Sequence, residues 1–148
     1  MLLRPRQKQF VERSVRALGE HGNTLGVAPT GAGKTIMLSG VVGRMVGDTP
    51  KSTGAKACVL AHRDELTSQN RSKFARVNPR ITTSVVDAKE KSWHGQVTFA
   101  MVPTLARAGN LDQLPALDLL VIDEAHHAAA DSYRRIIDTA LQRNPKCR

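Results

Sequence analysis

Eight consecutive residues, Ala28, Pro29, Thr30, Gly31, Ala32, Gly33, Lys34 and Thr35, have the composition of a loop that holds phosphate. Gly31 and Gly33 let the backbone curl until its N–H groups face one centre, and a helix starting there adds the partial positive charge of its N-terminus. Pro29, Thr30, Gly31, Ala32 and Gly33 would form this cradle, Lys34 would reach the β- and γ-phosphates of ATP, and the Thr35 hydroxyl would ligate Mg²⁺. The strict form of the pattern has glycine where Ala28 stands. Against this stands the plainer reading, a glycine-rich turn without function.

A second cluster argues for the chemical reading. Leu119, Leu120, Val121 and Ile122 run directly into Asp123, Glu124, Ala125, His126 and His127. Two carboxylates at the carboxyl end of a buried strand sit where open α/β sheets place their ligands. Asp123 would hold the hydration shell of Mg²⁺, and Glu124 would orient and deprotonate an attacking water. An Asp-Glu pair alone is most simply a solvated loop start; the apolar run before it and the phosphate loop upstream displace that reading. His126 and His127 are adjacent and lack further ligands at suitable spacing, so they make a poor metal site.

Both clusters need a scaffold, and the periodicities supply one. After Pro5, the apolar residues Phe10, Val11, Val15 and Leu18 recur at helical spacing, with Gly19 and Gly22 as the stop. A short strand is expected at 25–28, ahead of the loop. Behind the loop, Ile36, Met37, Leu38, Val41, Val42, Met45 and Val46 make a helix apolar around most of its circumference, which implies burial against a sheet. Residues 47–56 read as a loop, 57–61 as a buried strand, and 63–74 as a weakly periodic helix. Residues 81–86 and 97–102 are strand candidates rich in β-branched side chains. Residues 117–122 form a nearly continuous apolar run, the mark of a strand covered on both faces. The last helix carries Tyr133, Ile136, Ile137, Ala140 and Leu141 on one face, with Asp131 as its candidate N-cap and Pro145 beyond its end. Strands alternating with helices predict an α/β fold with a mostly parallel sheet flanked by helices.

The chain has 148 residues, which fits one domain and excludes a second full one. Its formal charge of +9 points to a polyanionic partner such as nucleic acid, or else to a solvated basic surface. Cys58 and Cys147 lack metal-ligand or disulfide-framework spacing, as in a reduced intracellular protein. The opening apolar stretch is too short for a signal peptide and no later run reaches membrane-spanning length, so a soluble, cytoplasmic protein without a membrane partner is expected.

The loop from Ala28 to Thr35 and the Asp123, Glu124, Ala125, His126 box together resemble the superfamily 2 helicases and translocases. The resemblance covers essentially the whole chain and implies the first RecA-like lobe of a DEAD/DEAH-box motor, a P-loop NTPase whose two clusters are its Walker A and Walker B elements. Leu3, Arg4, Pro5, Arg6 and Gln7 are similar to the family's glutamine signature, which implies that Gln7 reads the adenine edge, although the family commonly has an aromatic where Arg6 stands. Otherwise Gln7 is an ordinary polar residue on an amphipathic helix. Leu60, Ala61, His62, Arg63, Asp64, Glu65 and Leu66 resemble the first nucleic-acid-contacting motif, implying that Arg63 touches backbone phosphate. Pairing with a local carboxylate is the alternative for Arg63.

Ala100 to Leu105 echoes the later strand-binding motif in part, with Met101 and Pro103 in place of the usual Thr and Gln; it makes Thr104 a nucleic-acid contact or, more plainly, a helix cap. His126 would link the nucleotide state to the nucleic-acid lobe. Asp-Glu-Ala-His-His is more typical of the DNA-acting, restriction-subunit and phage or repair helicase branch, so DNA is expected over RNA. The resemblance further implies that a second lobe, its arginines and the next strand of the sheet lie beyond residue 148, making the lobe incomplete at its C-terminus and slow or inactive alone. Two other functions fit the same residues: a P-loop ATPase of another motor class, and a nucleotide-gated nucleic-acid-binding module that never hydrolyses. Trp93, in a polar stretch, reads as a loop anchor rather than a base-stacking platform.

Overall fold

A computed structural model describes residues 5–22, 34–47, 56–62, 64–87, 89–123 and 131–148. The strand expected at 25–28, loop residues Pro29 to Gly33, Arg63, Glu124 and His126 lie outside the described residues. Ten elements follow in chain order: α1 (Pro5–His21), α2 (Lys34–Gly47), β1 (Ala57–Ala61), α3 (Asp64–Val77), β2 (Thr83–Val86), β3 (Val97–Met101), α4 (Val102–Leu105), α5 (Ala108–Leu111), β4 (Leu119–Ile122) and α6 (Asp131–Arg143). The described strands form one sheet in the order β2-β3-β1-β4, with every pairing parallel.

Alternation along these strands sorts the core into two halves. Ala57, Val59, Val97, Phe99 and Leu119 face one side, where they pack with Leu18 of α1, Val42 and Val46 of α2 and Phe74 of α3. Cys58, Leu60, Val86 and Ala100 face the other, against Val102, Leu105, Leu114, Leu117 and the Tyr133, Ile136, Ala140 stripe of α6. Helices therefore cover both faces, as the βα alternation requires. Phe74 and Phe99 meet edge to face at 5.5 Å between ring centroids, fixing α3 over β3. Between β2 and β3, the buried Ser84 and Thr98 hydroxyls satisfy each other at 2.9 Å.

Several boundaries differ from the sequence reading for local reasons. Helix α1 runs through Gly19 and stops at Gly22, whose φ of +82° ends the helix in the left-handed region while its N–H donates to Leu18 O at 3.0 Å. Strand β3 ends at Met101 because Pro103, at the start of α4, turns the chain into a short helix that β-branched composition alone does not reveal. β2 begins at Thr83 rather than Ile81, and β4 at Leu119 rather than Leu117; Leu117 is instead held by Asn144 Nδ2 on its carbonyl at 2.8 Å. Leu120, Val121 and Ile122 are half-buried, not covered on both faces as their continuous apolar run implies. One side of β4 pairs with β1; on the other, Arg148 donates to Asp118 O at 3.1 Å and accepts from Leu120 N at 2.7 Å, the two bonds of a parallel ladder. Among the described residues no helix is long and apolar enough to cross a membrane.

Candidate functional site

The two sequence clusters converge at the carboxyl edge of the sheet. Lys34 is the first residue of α2 and Asp123 the first beyond β4. The Asp123 N–H donates to Leu60 O at 3.1 Å, so the β1–β4 ladder continues past the strand end and fixes the backbone under the carboxylate. Lys34 Nζ stands 2.8 Å from Asp123 Oδ1, with the lysine side chain 50% exposed and the aspartate side chain 4% exposed. This contact is a charge pair without hydrogen-bond alignment, which leaves the buried Oδ1 with unused accepting capacity. Oδ2 accepts a hydrogen bond from Asn70 Nδ2 of α3 at 3.2 Å.

Each partner is held in turn. Thr35 follows Lys34 in the first turn of α2, half-buried, and its carbonyl accepts the buried Ser39 hydroxyl at 2.8 Å. Helix α3 is set against α2 by Asn78, whose amide donates to Ser39 O at 2.9 Å. That approach requires Gly43, because a Cβ there would lie 2.7 Å from Asn78 Cγ. The packing of α2 on α3 thus places Asn70 and Lys34 on opposite oxygens of one carboxylate.

The other predicted residues are distributed as follows. Gln7 lies on α1 and is 8% exposed, and it is engaged within the fold. Thr104 lies on α4 and is 5% exposed; its carbonyl accepts Asn110 Nδ2 at 2.8 Å, and the N-cap of that helix is Met101, not Thr104. Trp93 packs against the α6-side core and its carbonyl accepts Lys56 Nζ at 2.6 Å, the anchoring role expected of it. Part of the positive charge is structural: the Arg143 guanidinium donates to Leu114 O and Asp112 O, each at 3.1 Å. No group of three or more His, Cys, Asp or Glu residues suited to a metal occurs among the described residues.

Asn70 was not singled out by sequence. Its signal was its place in the helix: Thr67, Asn70 and Phe74 are the buried stripe of α3, and an amide at a core position of a helix demands a polar partner.

A family model described as "Type III restriction enzyme, res subunit" matches residues 1–146. Among the relatives is IRC3 of Saccharomyces cerevisiae, which bears the name of an ATP-dependent helicase and is 29% identical over 142 residues, covering 93% of this chain and 21% of that protein. Rad25 of Haloarcula marismortui, named for a DNA 3'-5' helicase, is 28% identical over 146 residues, covering 93% of this chain and 21% of its own length. The chain thus spans about a fifth of the length of these curated relatives. Among solved structures, a nuclease-deletion mutant of the Type ISP restriction-modification enzyme LlaGI in complex with a DNA substrate mimic superposes with a TM-score of 0.66 at 18% identity, covering 91% of this chain and 16% of that one. That likeness shows a common fold.

Proposed function

We propose, from the premise that the chain belongs to the type III restriction enzyme res subunit family, that it is the ATP-binding lobe of a motor that hydrolyses ATP to move along or unwind DNA. The observation that carries this reading is the Lys34–Asp123 pair, which brings the end of the phosphate loop and the acidic box to one point at the carboxyl edge of a parallel sheet. The half-exposed ammonium is free to turn from the carboxylate to a phosphate. The buried Oδ1, without a hydrogen bond, is a hard oxygen suited to Mg²⁺ or its bound water, as is the Thr35 hydroxyl. Thr35 and Asp123 would hold the ion, which supplies charge neutralisation across the phosphates when bound.

The roles of the remaining residues follow from the family resemblance. Backbone N–H groups of residues 30–33 cradle the phosphates, Glu124 positions and deprotonates water, and Gln7 reads adenine. Arg63 meets the nucleic-acid backbone and His126 links the two sites, whereas Thr104, buried on α4, is withdrawn from that role. A second lobe supplies the arginine that completes catalysis. The positive charge, the DNA helicase name of Rad25 and the DNA mimic bound by LlaGI support DNA as the track.

Hydrolysis by the complete protein, second lobe included, measured with and without single-stranded DNA, duplex DNA and RNA tests this reading, with Glu124→Gln in that protein as the control that binds ATP and does not turn it over. Stimulation by DNA is expected. Hydrolysis indifferent to any nucleic acid would assign the chain to another class of P-loop motor, and ATP-dependent DNA affinity without phosphate release would make it a binding module.

A further inference from the structure

Asn70 lies outside the motifs of the phosphate loop and the acidic box, yet it is 2% exposed and spends its amide on Asp123 Oδ2. An amide in a core is costly unless hydrogen-bonded, and on the stripe shared with Phe74 an apolar side chain would pack without that cost. The backbone of Asp123 is already fixed by the bond to Leu60 O, so what remains to be set is the rotation of its carboxylate. Lys34 restrains Oδ1 while the nucleotide is absent, but its half-exposed ammonium is the group that leaves for the phosphates. Asn70, buried and on a different helix, stays.

We propose that Asn70 is a positioning residue that holds Asp123 Oδ2 so that Oδ1 remains turned toward the phosphate side, ready for Mg²⁺ once Lys34 lets go. The inference rests on the reading of Asp123 as a magnesium-site residue given above. Groups that orient a metal ligand from behind typically change metal affinity about 10- to 100-fold when removed. Helix α3 begins at Asp64, directly after Arg63, so the carboxylate is oriented by the helix that follows the expected nucleic-acid contact.

The test is a MgCl₂ titration of the protein at fixed fluorescent ATP analogue, for wild type, Asn70→Ala, Asn70→Ser and Asp123→Asn, alone and combined with Asn70→Ala. The expected result is a rise of about tenfold or more in the Mg²⁺ concentration at half-maximal binding for Asn70→Ala. Nucleotide affinity in EDTA should be unchanged, and Asn70→Ala should add no further shift in the Asp123→Asn background. Asn70→Ser, whose short hydroxyl falls short of Oδ2, should shift the midpoint in the same direction, and it carries the test if Asn70→Ala does not fold. A wild-type midpoint in a folded Asn70 variant overturns the positioning role while leaving the magnesium site standing. Magnesium-independent binding by the wild type overturns the site itself, and the positioning role with it.

Discussion

Lys34 and Asp123 meet at 2.8 Å, tying the first turn of α2 to the end of β4. On the proposed reading, nucleotide binding would shift the ammonium from the carboxylate toward a phosphate at this point. The half-exposed lysine needs little desolvation to make that shift, whereas Asp123 is buried and stays in place.

Lys34→Ala should weaken Mg-ATP binding by about ten- to a hundredfold, since a hydrogen bond to a charged group contributes about 1.5–3 kcal/mol. The same substitution should also lower stability, because it leaves the buried Asp123 carboxylate without its counter-charge. Calorimetric titration and a urea curve on one preparation separate the two effects. Unchanged nucleotide affinity would remove Lys34 from the site.

Arg63→Ala should reduce the slope of log affinity against log salt for duplex DNA by about one, leaving sequence preference alone, as expected for one lost phosphate contact. Fluorescence anisotropy across a salt series gives the slope directly. An unaltered slope assigns Arg63 to a local ion pair.

Gly95→Ala should destabilise the sheet. A Cβ at Gly95 would lie 2.6 Å from Thr83 C and 2.8 Å from Ser84 N, backbone atoms of β2 that have no rotamer to escape into. The Gly95 N–H also donates to Ser84 Oγ at 3.1 Å, so moving the loop aside breaks a buried bond. The expected cost is about 1–3 kcal/mol, read as a lower urea midpoint at constant m. A wild-type midpoint would show that the loop and β2 are not held in this close contact.

How much of this was legible in the sequence depends on whether the signal is local. Asp123 announces itself because a run of four apolar residues ends in it, and Lys34 because two glycines and a helix flank it. The stripe of Tyr133, Ile136 and Ala140 gave α6, a short continuous apolar run gave β1, and β-branched composition gave β3. Helices α4 and α5, four residues each, are too short to show a period, so they escaped. Asn70 escaped for a different reason: its partner lies 53 residues away, and an amide on a weakly periodic helix looks solvated until α3 is laid over the sheet. Thr104 carries a motif-like neighbourhood, but α4 turns it into the core, a direction set by tertiary packing rather than by the residues beside it.

Stability should fall as the pH rises above about 9, and Cys58 should account for part of the fall. Burial, and secondarily the neighbouring Cys147, pushes the Cys58 thiol well above its ordinary value of 9.0. In the unfolded chain the same thiol ionises near that ordinary value. Between the two, the unfolded state holds fewer protons than the native state, so each such thiol lowers unfolding free energy by about 1.4 kcal/mol per pH unit. Below pH 9 both states are protonated and the contribution is constant. Cys147, half-buried, is raised in the same direction by burial and then by Asp118. Lysines and the lone tyrosine also titrate in this range, so the informative quantity is a difference. Urea midpoints from pH 8 to 10.5 should fall less steeply for Cys58→Ala than for the wild type, and iodoacetamide should label Cys58 far faster in urea than in the native protein. Parallel slopes for the two proteins would mean that the Cys58 thiol ionises in the folded state as readily as in the unfolded one, and that the β1 core is open to solvent at high pH.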